Sequence, residues 1–154
     1  MRGLTGLAGG VKRRHNLVKW SEDATHSPWT VNGTPTLTAG FADPVGGSAA
    51  TKFQTPGTGH GVYQSVTDAS GPHTFSVWLM GAAGGEVVQI GPGAGSNVTL
   101  TTAWVRYSMT VTGTNPVPVI YGGTSGAKTF YAWGAQLVKG SALTPYIKTQ
   151  ATVV

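Results

Sequence analysis

The sequence contains no cysteine, few charged residues and no long apolar run. The absence of cysteine excludes a disulfide scaffold, iron–sulfur ligation and a cysteine nucleophile. No segment approaches the run of about 18 apolar residues that a membrane-spanning helix needs. The basic cluster at residues 12–14 follows the mildly apolar residues 3–11, whereas a signal peptide has the opposite order. We therefore expect neither a membrane span nor an export signal.

Acidic residues are also scarce, which limits the catalytic chemistry available. Only 10% of the 154 residues are charged, and five of them are Asp or Glu. A glycoside hydrolase would have to take its two carboxylates from these five, of which Glu22 and Asp23 are adjacent. His60, Asp68 and His73 could assemble with a serine, but no nucleophile elbow is present. We predict a protein that is not an enzyme and that folds without a metal or cofactor.

Glycine and proline are abundant, with 24 and 9 residues, and they separate short segments that are typical of strands. We predict strands near residues 17–20, 29–32, 36–41, 49–54, 61–67, 73–80, 86–90, 97–102, 104–112, 117–121 and 128–138. Two of these segments alternate in polarity with period two. The predicted core residues from them are Phe75, Val77, Leu79, Val105, Tyr107, Met109 and Val111. This pattern indicates an all-β sandwich or barrel.

The last long segment, residues 129–140, has the clearest alternation. Tyr131, Trp133, Ala135 and Leu137 share one face, which we predict to be the core face of the strand that closes the sandwich. Gly140 and Ser141 then end the strand. Pro145 favours an extended segment whose Tyr146 and Ile147 side chains cover one end of the sandwich. Among the tryptophans, Trp20 and Trp133 are predicted to be buried in the core.

Four motifs carry a resemblance to a known family. The closing motif runs from Tyr131-x-Trp-Gly-Ala-Gln-Leu137 to Thr144-Pro-Tyr-Ile-Lys-Thr149, and the others are Asn16 to Asp23, Gly71 to Leu79 and Leu100 to Thr110. Together they resemble jelly-roll domains, similar to carbohydrate-binding modules, that recur in structural proteins of tailed phages. The resemblance implies an antiparallel jelly-roll β-sandwich over residues 16–154. Met80 and Val138 replace the basic and acidic residues usual at their positions, so no sugar or calcium site is carried over.

The first fifteen residues form a basic, glycine-rich segment that we predict to be an extended N-terminal arm. Lys and Arg side chains at positions 2, 12, 13, 14 and 19 precede every acid, whereas the remainder of the chain is neutral. Such an arm can bind nucleic acid, an anionic membrane or an acidic protein surface, or remain a solvated tail. We favour a protein partner. Its predicted contact residues are Arg2, Leu4, Leu7, Val11, Lys12, Arg13 and Arg14.

The resemblance implies a structural protein of a tailed-phage virion, assembled in the cytoplasm of the host bacterium. We expect a head-decoration, cement or fibre-base subunit that binds capsid, tail or fibre proteins and forms a homo-oligomer, most plausibly a trimer. The alternative is a carbohydrate-binding module or an adhesin for host glycans. Trp78, Trp104 and Arg106 are the predicted surface residues for a protein or glycan contact. Nucleic acid is not an expected partner, because the neutral body lacks a basic face with interleaved aromatic residues.

Overall fold

The computed structural model describes residues 15–93 and 95–152 of the chain. The described residues form ten strands in two antiparallel five-stranded sheets, which pack face to face as a jelly-roll sandwich. The first sheet has the strand order β1 (Thr30–Asn32), β4 (Gly61–Tyr63), β9 (Val119–Gly122), β6 (Val87–Ile90) and β7 (Ser96–Thr99). The second has the order β2 (Thr36–Phe41), β3 (Ala50–Thr55), β10 (Lys128–Lys139), β5 (Gly71–Gly81) and β8 (Val105–Gly113). The predicted fold class is confirmed.

The core lies between the two sheets. Phe53 and Phe130 are directly paired across β3 and β10, and their rings stack with centroids 4.9 Å apart. Both are fully buried, as are Ile90 and Val62 from the facing sheet. Burial of each such side chain stabilises the fold by about 1.5–3 kcal/mol. Phe75, Val77 and Leu79 of β5 are also fully buried, as predicted.

The prediction for β8 is wrong at Val105, and only partly right for the residues that follow it. Tyr107 and Met109 pack against the core while partly buried, and Val111 is half-buried, but Val105 is 37% exposed. The reason is the position of β8 at the edge of the second sheet. An edge strand has a neighbour on one side only, so alternation alone overestimates how deeply its apolar residues are buried.

The prediction for β10 is right for Ala135 and Leu137 but wrong for Tyr131 and Trp133, because the strand changes phase in its middle. Phe130 and Ala132 face the core, yet so do Ala135 and Leu137, three and five residues after Ala132. The register with β5 shifts between Trp133 and Gln136, which marks a β-bulge. Trp133 is buried, as predicted, but its side chain lies on the outer side of the sheet. Tyr131 also faces outward, although it was predicted to face the core.

The segment 17–21 takes the place of β3 beside the second half of β10. Its backbone bonds to that strand join Leu17 N to the Leu137 carbonyl at 2.9 Å and Ala135 N to the Ser21 carbonyl at 2.7 Å. Residues 144–147 then fold back over the outer side of β10, and the carbonyls of Thr149 and Gln150 bond to the backbone of Ser21 and Trp20. The side chain of Gln136 accepts a hydrogen bond from Ile147 N at 2.7 Å. This end of the second sheet is therefore covered, whereas the end near Tyr131 stays open.

Candidate functional site

The outward side chains of the second sheet, together with Tyr146 from the segment after β10, form a surface that we call the aromatic face. It comprises Phe41, Lys52, Trp78, Met80, Arg106, Tyr131, Trp133 and Tyr146. The strand register places Trp133, Trp78 and Arg106 in one row across β10, β5 and β8. The next row carries Lys52, Tyr131 and Met80 across β3, β10 and β5. Paired residues of adjacent strands project to the same side, so these groups share a surface.

Three aromatic rings pack together at the covered end of this face. Trp78 meets Trp133 edge to face with centroids 5.4 Å apart, and Tyr146 lies 4.9 Å from Trp133 and 5.7 Å from Trp78. The Tyr146 hydroxyl is 2.6 Å from Ser21 Oγ and donates to Glu22 Oε1 at 3.2 Å. Burial raises the pKa of Tyr146 well above its ordinary value. The cluster thus fixes the orientation of Trp78.

Arg106 lies over the ring of Trp78 and covers one of its sides. The guanidinium carbon is 4.4 Å from the Trp78 centroid, and Nη2 donates a hydrogen bond to Ser76 Oγ at 3.1 Å. Arg106 Nε is buried and has no hydrogen-bond partner among the described residues. Burial lowers the pKa of Arg106, although a guanidinium remains charged at neutral pH. Arg106 is therefore a positive group held in a defined position.

A cleft opens at the uncovered end of the aromatic face. Its volume is about 370 Å³, and its described lining residues are Phe41, Ala42, Met80, Gly81, Ala82, Thr102 and Tyr131. The rings of Phe41 and Tyr131 lie 5.4 Å apart at an angle of 57°. Lys52 Nζ lies 5.6 Å from the Phe41 centroid. Two aromatic rings with a cation beside them form the wall of an open, shallow site.

The structure brings together two of the three predicted surface residues, Trp78 and Arg106, but both are half-buried rather than fully exposed. Trp104 directly precedes β8 and is also half-buried.

The predicted contact residues of the arm are Arg2, Leu4, Leu7, Val11, Lys12, Arg13 and Arg14, and they lie outside the described residues. Phe41 and Lys52 were not predicted as site residues, and Tyr131 was predicted to face the core. Gly134 was the available signal, since a glycine within a strand marks a bulge.

The three residues considered for a catalytic triad do not assemble. His73 Nε2 is 2.7 Å from Asp68 Oδ2, and His73 Nδ1 is 3.0 Å from the Gly71 carbonyl oxygen. Both ring nitrogens of His73 already have hydrogen-bond partners, so neither is free to activate a serine. His60 belongs to another part of the fold, where its Nδ1 accepts a hydrogen bond from Thr34 N at 2.9 Å.

In the part of the chain that the structure describes, no three His, Asp or Glu side chains are grouped closely enough to hold a metal ion. Among the same residues, no helix is long and apolar enough to span a membrane.

Solved structures with the same fold include carbohydrate-binding modules. The TmCBM61 structure, in complex with β-1,4-galactotriose, has a TM-score of 0.58 at 17% identity; the match covers 84% of this chain and 100% of that chain. The CBM22-1-GH10 modules of Clostridium thermocellum xylanase 10B, complexed with xylohexaose, match with a TM-score of 0.57 and 13% identity. That match covers 87% of this chain but 29% of the xylanase chain.

A phage protein has a similar domain as well. The enzymatically active domain of tailspike protein 4 from bacteriophage CBA120 matches with a TM-score of 0.53 and 14% identity, over 79% of this chain and 21% of that chain. No protein-family model matches the sequence, and no curated protein matches it. At these identities the similarity establishes the jelly-roll fold that the chain shares with carbohydrate-binding modules.

Proposed function

We propose that this domain binds a carbohydrate on its aromatic face and does not hydrolyse it. The cleft beside Phe41 and Tyr131 is the observation that carries the proposal. Its volume of about 370 Å³ falls within the range of roughly 300–1,000 Å³ that is typical of small-molecule sites. The C–H groups on one side of a sugar ring pack against the electron-rich face of an aromatic ring. The sugar hydroxyls are then free to bond with polar groups at the rim.

Two further observations support binding without hydrolysis. The fold neighbours TmCBM61 and xylanase 10B are described in complex with oligosaccharides. The described residues that line the cleft include no carboxylate, whereas glycoside hydrolysis usually needs two carboxyl groups that flank the bond. The acids are used elsewhere in the fold, as with Asp68 beside His73.

Substitution of the cleft aromatics tests this function. Tyr131→Ala and Phe41→Ala should each weaken the binding of a β-linked oligosaccharide about tenfold, because each removes one stacking surface worth about 1.4 kcal/mol. Tyr121→Ala is the matched control, since Tyr121 is a half-buried aromatic residue on the other sheet. Titration calorimetry with xylohexaose and β-1,4-galactotriose measures the affinities, and sugar release is assayed in parallel.

Failure to bind any member of a broad glycan array, with the protein folded, would reject the proposal. Equal loss of binding in Tyr121→Ala would show that the loss is not specific to the cleft and would also contradict the proposal. Release of reducing sugar that a single Asp or Glu substitution abolishes would reject the part of the proposal that excludes hydrolysis.

A second candidate function is a structural role in a tailed-phage virion. The similarity to the tailspike domain favours it, since the same fold occurs there within a phage particle protein. In this proposal the chain forms a homo-oligomer and docks to capsid, tail or fibre subunits. Mass spectrometry of purified particles from the source tests it, and absence of the protein from particles that contain the major capsid protein would reject it.

A further inference from the structure

The cations of the sandwich differ in how they are partnered. Lys139 Nζ lies 3.8 Å from Asp68 Oδ2, and Lys148 Nζ lies 3.3 Å from Glu22 Oε2. Lys128 donates to three backbone carbonyls of its own turn, at 2.6, 3.0 and 3.1 Å. These three cations are held by groups outside the aromatic face.

Lys19 makes no ion pair among the described residues either, but it lies outside the aromatic face, beside Leu17 and Gln64. Lys52 and Arg106 are different. Neither has a carboxylate within ion-pair distance among the described residues, and both lie on the aromatic face. Each one contacts an aromatic ring, so its position is defined although no protein acid neutralises it. A cation that is held in place without a counter-ion is suited to an anionic ligand.

The Asp and Glu side chains of the sandwich form no ion pair with Lys52 or Arg106 among the described residues. Asp43 accepts hydrogen bonds from three backbone N–H groups of its own loop. Glu86 Oε2 accepts one from Ala83 N at 2.7 Å, and Glu86 Oε1 is buried without a partner among the described residues. Asp23 bonds to Thr25 and lies 3.5 Å from His26. Glu22, which reaches the aromatic face through the Tyr146 hydroxyl, is paired with Lys148. The open part of the aromatic face is therefore electropositive.

Arg106 is the better defined of the two cations. Of the five guanidinium N–H groups, one on Nη2 binds Ser76 and the one on Nε is buried, which leaves three on Nη1 and Nη2. A planar guanidinium whose orientation is already fixed loses little entropy when it binds a carboxylate or a sulfate.

We propose that the glycan bound on the aromatic face is acidic, with a carboxylate or sulfate group that pairs with Arg106 and a second that pairs with Lys52. This inference rests on the proposed function and names the class of its ligand. Three strand spacings separate β3 from β8, which is about 14 Å at roughly 4.8 Å each. One anionic group cannot reach both cations, so the ligand is an oligosaccharide with repeated charges.

Three matched trisaccharides test the inference on the full chain. Cellotriose is neutral, its β-1,4-linked glucuronic acid counterpart carries carboxylates at C6, and a 6-O-sulfated cellotriose carries sulfates. At 50 mM NaCl the better of the two acidic ligands should bind at least tenfold more tightly than cellotriose. This preference should shrink as NaCl is raised to 500 mM, because salt screens the exposed ion pairs. The better acidic ligand identifies which anion the site takes.

Substitutions of single cations test which residues cause the preference for acidic trisaccharides. Arg106→Gln should reduce the ratio of the affinity for the better acidic trisaccharide to that for cellotriose about tenfold, and Lys52→Gln should reduce this ratio about threefold. Lys19→Gln removes the same charge from a residue outside the aromatic face and should have no effect. Arg106→Lys keeps the charge and should retain part of the preference. Near-ultraviolet circular dichroism of the tryptophans checks that each variant is folded.

The outcomes separate this inference from the proposed function. Binding of cellotriose at least as tight as that of both acidic ligands overturns the acidic assignment alone. An acidic preference that Lys19→Gln reduces as much as Arg106→Gln overturns the assignment to the aromatic face. If none of the three ligands nor any other glycan binds the folded protein, the proposed function fails and this inference fails with it.

Discussion

Asp68 links a fully buried histidine to a surface lysine. Its Oδ2 is 2.7 Å from His73 Nε2 and 3.8 Å from Lys139 Nζ. The hydrogen bond from His73 lowers the pKa of Asp68, and the charge of Lys139 adds to the effect. A carboxyl group whose pKa is lower in the folded state stabilises the fold above its unfolded value of about 3.9, and the stabilisation is lost as the pH falls through the lower folded value.

We therefore expect Asp68→Asn to reduce the free energy of unfolding by about 1–2 kcal/mol at pH 6, with a smaller difference at pH 3. Urea unfolding of both proteins across this pH range measures the effect. Asp23→Asn, which alters an exposed pair with His26, is the control. A difference between Asp68→Asn and the wild type that stays constant down to pH 3 would contradict this account of the ion pair.

At the scale of the elements, most strands were predictable because glycine and proline mark their ends. The period of two also identified the core face of β5, which has neighbours on both sides. The phase of β10 was not predictable from alternation, since a bulge reverses the faces that follow it. Gly134 has a φ of 69°, and a Cβ there would lie 2.9 Å from Trp78 Cε3. The bulge and the packing of Trp78 both require glycine at this position. The sequence shows the glycine that marks the bulge, but the close approach of Trp78 is visible only in the structure.

The candidate site was only half predictable for the same reason. Trp78 and Arg106 were identified because they alternate with apolar neighbours on their strands. Phe41 and Lys52 belong to strands that are distant in sequence from β5, and their proximity to Tyr131 follows from the strand order. Alternation within one strand gives no information about which strands become neighbours.

Asn16 connects three elements at the covered end of the second sheet. It is fully buried, and its Nδ2 donates to the carbonyls of Ala135 at 3.0 Å and Ile147 at 2.8 Å. Its Oδ1 accepts from Val18 N at 3.1 Å and Leu137 N at 3.0 Å. All four hydrogen-bonding capacities of the amide are satisfied, so this one side chain ties the segment before β1 to β10 and to the C-terminal segment.

Asn16→Ala should lower the free energy of unfolding by about 3 kcal/mol or more, because it leaves several buried backbone groups without partners. Asn32→Ala is the control, since Asn32 is exposed and its amide bonds only to the Gly59 carbonyl. Chemical denaturation measures both variants. Equal stability of Asn16→Ala and Asn32→Ala would show that water or local rearrangement replaces the lost bonds.

At the scale of the whole molecule, the sandwich and the arm are predicted to be separable. The described contacts of the N-terminal part of the sandwich begin at Asn16 and Val18, which pack into the fold beside β10. Deletion of residues 2–14 should therefore leave the thermal transition within about 2 °C of the wild type, because the buried residues of the described sandwich all lie at Asn16 or later. Glycan binding on the aromatic face should also persist, since Tyr131, Trp78 and Arg106 lie in the sandwich.

The same deletion discriminates between the two candidate functions. If the chain is a virion protein that docks through its arm, the truncated protein should fold normally but fail to enter particles during assembly, whereas a glycan-binding module should lose nothing. Charge reversal at Lys12, Arg13 and Arg14 should reproduce any docking defect in a salt-sensitive manner, because exposed charges are screened at high ionic strength. A truncated protein that melts far below the wild type would refute the division into arm and sandwich, since residues 2–14 would then contribute to the core.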